Sequence, residues 1–141
     1  MDELARFHIL YQAIEVMITV IFQHDFKKFV ESLSDSDSIN YLSEKEEVLK
    51  EMMGEKGRVK KLINQYTNVS SKKKTNLDNA CTELLNSVQF PYKNGNQLYG
   101  CRCLLVHNMY RINPEDRNRI KEINDFFMDV LIEMVQTFEI H

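Results

Sequence analysis

Residues 4 to 33 contain neither glycine nor proline, and apolar side chains recur along them every three to five positions: Leu4, Phe7, Tyr11, Ile14, Ile18, Ile21, Phe26, Phe29 and Leu33. Steps averaging near a helical turn put these residues on one side of a helix, in a stripe about as wide as a bundle core requires. Val16, Met17, Val20 and Phe22 widen the stripe, so this helix is expected to meet neighbours on two sides. The whole chain of 141 residues holds four glycines and two prolines, too few turn formers for a β-rich fold. The expected fold class is therefore all-α: an antiparallel up-and-down bundle of four long helices plus a short one. Residues 1–141 leave room for a single domain around one core.

The rest of the pattern fills in that bundle. Alternating serine and aspartate over residues 34–38 ends the first helix. Ser43-Glu44-Lys45-Glu46 reads as a capping box, in which a hydroxyl and a carboxylate satisfy the free amides of a helix start. The helix it opens runs to about Met53, is broken or bent at Gly54 and Gly57, and resumes through Val59, Leu62, Ile63 and Tyr66. Residues 68–74 are polar and read as a loop, with Thr75 to Asp78 repeating the capping pattern. Leu77, Ala80, Cys81, Leu84, Leu85 and Val88 form the next buried face. The Asn94-Gly95-Asn96 turn leads to a short helix over residues 98–109. Asn113-Pro114-Glu115-Asp116 is a strong start signal, with a cap, a proline at the first helical position and acids in the first turn. The last helix points Ile120, Ile123, Phe127, Val130, Leu131, Met134 and Phe138 inward.

A net charge of −3 excludes binding to nucleic acid by bulk charge, while leaving room for a local basic patch. Cys81, Cys101 and Cys103 are odd in number and form no CxxC pair, which favours a reducing, cytoplasmic setting over a disulfide framework. His8, His24, His107 and His141 are scattered, so no metal site and no cofactor is expected. The acidic start Met1-Asp2-Glu3 lacks the basic region of a signal peptide. Glu15, His24 and Asp25 interrupt the first apolar run, and no membrane span is expected from it.

The chemistry concentrates between Gly100 and Ile112, where Arg102 and His107 are separated by four residues. RNA cleavage without a metal needs a base for the 2′-hydroxyl, an acid for the leaving 5′-oxygen and a fixed positive charge on the phosphorane. Histidine titrates near neutrality and serves proton transfer. Arginine stays charged and grips two phosphate oxygens with its planar fork. Five helical positions turn through about 140°, so Arg102 must reach round or the helix must deform near His107. One histidine per chain does not readily serve as both acid and base, which points to two copies sharing a cleft. The bland alternative is a solvated arginine and a histidine interacting with the end of a helix dipole.

Arg102, four mostly apolar residues, His107, then an aromatic and a final amphipathic helix together resemble the R-x4-6-H signature of HEPN domains. By motif the resemblance covers about the last third of the chain, and elsewhere only the helical architecture. It implies a metal-independent endoribonuclease of the toxin or antiviral type, acting on tRNA or mRNA as a homodimer and leaving a 2′,3′-cyclic phosphate. It also implies a possible antitoxin partner such as a minimal nucleotidyltransferase, which in one subgroup attaches AMP to a tyrosine two positions after the histidine. Here Met109 stands at that position and Tyr110, the candidate for modification, follows it; Cys103 stands where a polar residue often follows the arginine. The alternative function is a catalytically silent HEPN-like module that binds RNA, a nucleotide or a protein.

Supporting residues each carry two readings. Asn108 is either a hydrogen-bond partner for phosphate or His107, or a plain helix C-cap. Arg111 either extends the positive surface or sits exposed at a helix end. Cys101 and Cys103 either make the site redox-sensitive or are buried structural thiols. Lys56, Arg58, Lys60, Lys61, Lys72, Lys73 and Lys74 either track an RNA backbone, with Tyr66 for stacking, or form a solvated face.

Overall fold

The computed structural model describes residues 2–33 and 39–140, with side chains from residue 43 onward in the second segment. The serine–aspartate run over 34–38, expected to end the first helix, lies outside the described residues. Among them are six α-helices and no strand: α1 (Glu3–Ser32), α2 (Ile39–Met53), α3 (Glu55–Lys61), α4 (Ser71–Ser87), α5 (Gln97–His107) and α6 (Arg117–Thr137).

The periodic residues do what their spacing predicts through most of the chain. Phe7, Leu10, Tyr11, Ile14, Met17, Ile18 and Ile21 of α1 are buried, facing Ile120, Ile123, Phe127, Val130, Leu131 and Met134 of α6. Leu77, Ala80, Cys81, Leu84 and Leu85 of α4 complete the same core. Fully burying one such side chain is worth about 1.5–3 kcal/mol, so this three-helix contact supplies most of the hydrophobic stabilisation. By length and composition α1 is also apolar enough to cross a membrane, with a mean hydropathy of 1.4 over its most apolar stretch, 39% of which is buried here.

Contact register gives the helix directions. Asn124 donates to the Glu3 carbonyl and Phe7 meets Phe127 edge-on, so α1 and α6 run the same way. Ser70 lies against Glu133 and Ser87 against Asp116, so α4 and α6 are antiparallel. Arg58 stacks over Phe22 and Lys61 reaches Asp25, so α3 runs alongside α1 in the same sense. The break at Gly54, extended at φ −77° and ψ 124°, divides the second helical stretch into α2 and α3 and lets α2 carry the chain back. That added reversal is why the first and last helices are parallel.

Two helix starts differ from the sequence reading. Ser43 lies inside α2, which begins at Ile39; nothing between 39 and 42 opposes helix, and extending a formed helix is easier than nucleating one. Lys72, Lys73 and Lys74 lie in the first turn of α4 and not in a loop. Glu133 of α6 accepts the Ser70 backbone N–H at 3.3 Å and pairs with Lys73 at 3.5 Å, which holds that turn against the core. The start of the last helix is as expected. Asn113 and Asp116 form a reciprocal capping box around Pro114, and buried Asp116 also accepts from Arg119 and Ser87.

Helix α5 is seated on α4 by an absence of bulk. A Cβ on Gly100 would come within 3.2 Å of both Leu85 and Tyr92, so any larger residue here requires those neighbours to give by a few tenths of an ångström. The Cys101 thiol donates to the Cys81 carbonyl at 3.7 Å beside it. Leu98, Leu104 and Leu105 then bury the inner face of α5, leaving Arg102 and His107 on its outer side.

Candidate active site

Helix α5 ends at His107, and its last turn brings the two motif residues together. Arg102 Nη1 lies 3.3 Å from His107 Nε2. A guanidinium has no acceptor, so in this contact Nη1 donates and Nε2 accepts with its lone pair. The long arginine side chain therefore spans the rotation of five helical positions without deforming α5. His107 is exposed, while Arg102 is mostly covered.

Other helices fix the arginine. Its Nε is 3.7 Å from Glu55 at the start of α3, its Nη2 is 4.0 Å from Glu15 of α1, and its guanidinium carbon lies 5.9 Å from the centre of the Tyr11 ring. Tyr11, Glu15 and Glu55 escaped the sequence reading because they come from separate helices and only the packing of α1, α3 and α5 assembles them. Two polar atoms here lack hydrogen-bond partners: the Tyr11 hydroxyl and Arg102 Nε. Burial, reinforced by the Glu55 carboxylate, pushes the Tyr11 phenol far above its ordinary range. A buried, neutral, unpartnered hydroxyl costs about 1–3 kcal/mol.

The supporting candidates divide. Asn108 is the C-cap of α5; its backbone N–H donates to Leu104 and its Nδ2 to the Cys103 carbonyl at 3.5 Å. Arg111 donates to the carbonyls of Val88 and Gln89 at 2.9 and 3.0 Å and lies over Phe90, so its fork closes the end of α4. Cys101 is buried, and the Cys81 thiol is held well above its ordinary value by its hydrogen bond to Cys101 and by burial. Cys103 is half-buried, and its hydrogen bond with Tyr99, together with burial, raises the Tyr99 phenol. Tyr110 is 84% exposed and its hydroxyl donates to Asn108.

The lysine stretch is split by the fold. Lys60 and Lys61 line a groove of about 1050 Å³ between α1, α2 and α3. Lys74 donates to Asn64, another residue of its wall, at 3.4 Å. Lys72 is exposed, and Lys73 is turned to Glu133. Lys61 also binds Asp25, which accepts from Tyr66 at 3.2 Å. Burial alone would raise the Asp25 carboxyl, but the Lys61 hydrogen bond and charge outweigh it and hold it below the usual range. Tyr66 is buried, so its ring is not available for stacking.

Among the described residues no group of three or more His, Cys, Asp or Glu side chains is placed to hold a metal ion. Comparison with models of known protein families, with curated proteins and with solved structures finds no match.

Proposed function

We propose that this chain is a metal-independent endoribonuclease of the HEPN type, a toxin or antiviral effector that acts on tRNA or mRNA as a homodimer in the cytoplasm. The observation that carries this reading is the 3.3 Å contact between Arg102 Nη1 and His107 Nε2 at the exposed end of α5. A phosphodiester arriving there takes the N–H groups of Arg102 and frees the lone pair of Nε2. His107 then removes the 2′-hydroxyl proton, and the 2′-oxygen attacks phosphorus. Arg102 holds the added negative charge on the phosphorane. The bond to the 5′-oxygen breaks, leaving a 2′,3′-cyclic phosphate and a 5′-hydroxyl. The proton for that leaving oxygen comes from His107 of the second copy, which enters the step protonated and leaves it neutral, so one motif histidine per chain suffices. Glu15 and Glu55 hold the guanidinium when no RNA is bound, and ion pairs this loose are weak enough for a phosphate to displace. Exposed Tyr110 is where an antitoxin such as a nucleotidyltransferase would modify the protein.

A silent binding module is the second reading, and one specific observation favours it: two carboxylates face Arg102 and offset its charge. Cleavage of tRNA and mRNA with EDTA present separates the two. The nuclease reading expects wild type to cut undiminished by chelator, and Arg102→Ala and His107→Ala each to lose about a hundredfold or more. Absence of cleavage by wild type, with RNA binding retained in both variants, would establish the silent module instead.

A further inference from the structure

The groove between α1, α2 and α3 has a composition unlike the rest of the molecule. Lys28, Lys45, Lys50, Arg58, Lys60 and Lys61 line it, against the two acids Asp25 and Glu51, in a chain whose net charge is −3. Aromatic rings stand along its α1 side. Phe22 stacks on Phe26 with ring centres 5.6 Å apart and planes 24° apart, and Phe26 on Phe29 at 6.3 Å and 26°. Phe22 and Phe29 line the groove and Phe26 is exposed beside them. Arg58 lies 5.3 Å from the centre of Phe22, and its buried Nε has no hydrogen-bond partner.

We infer that this groove holds single-stranded RNA, its phosphates on the lysines and its bases on the phenylalanine ladder. Three arguments select that ligand. Interleaved cations and flat aromatic faces are what an unpaired strand needs, because every base has a face to stack while its backbone needs only positive charge. A duplex hides its base faces and leaves the ladder unused. An apolar protein partner would have to bury the cations, which protein interfaces exclude from their centres. At about 1050 Å³ the space is at or beyond the upper end for a small-molecule site, so it suits several nucleotides rather than one. It also adjoins the candidate active site through α3: Gly54 and Arg58 line the groove, while Glu55 between them pairs with Arg102. A strand in the groove is thereby delivered to the Arg102–His107 pair. This inference rests on the reading of the chain as RNA-acting, but not on its being a nuclease.

The test is fluorescence anisotropy with a labelled ten-nucleotide oligouridine, performed on His107→Ala protein so that no cleavage intervenes. The groove variant is Lys28→Glu with Lys60→Glu, and a second is Phe29→Ala. The control is Lys93→Glu with Arg117→Glu, two exposed cations elsewhere. Circular dichroism and thermal unfolding confirm that each is folded. The groove pair is expected to weaken binding at least tenfold in 50 mM salt and to flatten the slope of log K against log salt by about one to two. Phe29→Ala is expected to weaken binding with that slope unchanged, and the control to bind like its parent. Equal binding by the groove pair and its parent, equal weakening by the control pair, or a groove that captures anionic phospholipid vesicles but not oligouridine would overturn the inference. Failure here with His107-dependent cleavage intact removes the groove and leaves the nuclease. Groove-dependent binding without cleavage by wild type does the reverse.

Discussion

The two halves of α1 carry the same apolar periodicity and have opposite fates. From Phe7 to Ile21 the stripe is core, with Phe7 set edge-on against Phe127 of α6. From Phe22 onward Phe26, Val30 and Leu33 are substantially exposed, and Phe22 and Phe29 are half-buried beside lysines and an arginine. The difference lies in what surrounds each half. The first half meets the apolar side of another long helix, while among the described residues the second meets α2, α3 and Tyr66, with Arg58 over Phe22 and Lys61 on Asp25. Hydrophobic spacing thus announces a helix and a face, but whether that face becomes core depends on a partner surface supplied elsewhere.

Truncating one phenylalanine in each half separates the two fates. Phe7→Ala removes a fully buried ring and is expected to cost about 3–5 kcal/mol in urea unfolding, whereas Phe26→Ala is expected to cost less than about 1 kcal/mol. Similar losses at both positions would mean that the second half is core after all. Next in size is Asn124→Ala, which deletes the hydrogen bonds of 2.7 and 2.9 Å that pin Glu3 at the start of α1 to α6. A loss of about 1–2 kcal/mol is expected, read from the same urea curves.

Tyr11→Phe sharpens the picture from the other side. It removes a buried hydroxyl that has no partner, so the midpoint of unfolding should stay or rise, by up to about 1 kcal/mol, while RNA cleavage falls. A fall in stability would show that the hydroxyl is satisfied within the fold. The smallest effect belongs to Asp25, which ties the second half of α1 to α3. Its carboxyl is held below the usual range, so its contribution is present above about pH 4 and disappears as pH falls through the folded-state value. Wild type should exceed Asp25→Asn by about 1 kcal/mol or less at pH 7, and the gap should close toward pH 3.

How much of this was legible in the sequence follows from which interactions are local. The inward faces of α4 and α6 are, Phe138 and Val88 being only partly buried, those read from spacing, and the Asn113–Asp116 cap forms as its residues require. The Arg102–His107 contact was legible as a pair on one short helix. The lysine triplet was misplaced because the carboxylate that holds its turn, Glu133, is on a distant helix. Tyr11, Glu15 and Glu55 were invisible for the same reason. The aromatic ladder was visible as residues and misjudged as core, because periodicity cannot distinguish a buried face from one lined by another helix's cations.

If Arg102 and His107 form a phosphodiester-cleaving site, the ends of the products must carry its signature. RNA incubated with wild-type protein in EDTA should carry 2′,3′-cyclic phosphate and 5′-hydroxyl termini, and His107→Ala protein should yield neither above background. Products bearing 3′-hydroxyl and 5′-phosphate ends, or equal cleavage by the His107→Ala variant, would contradict the account.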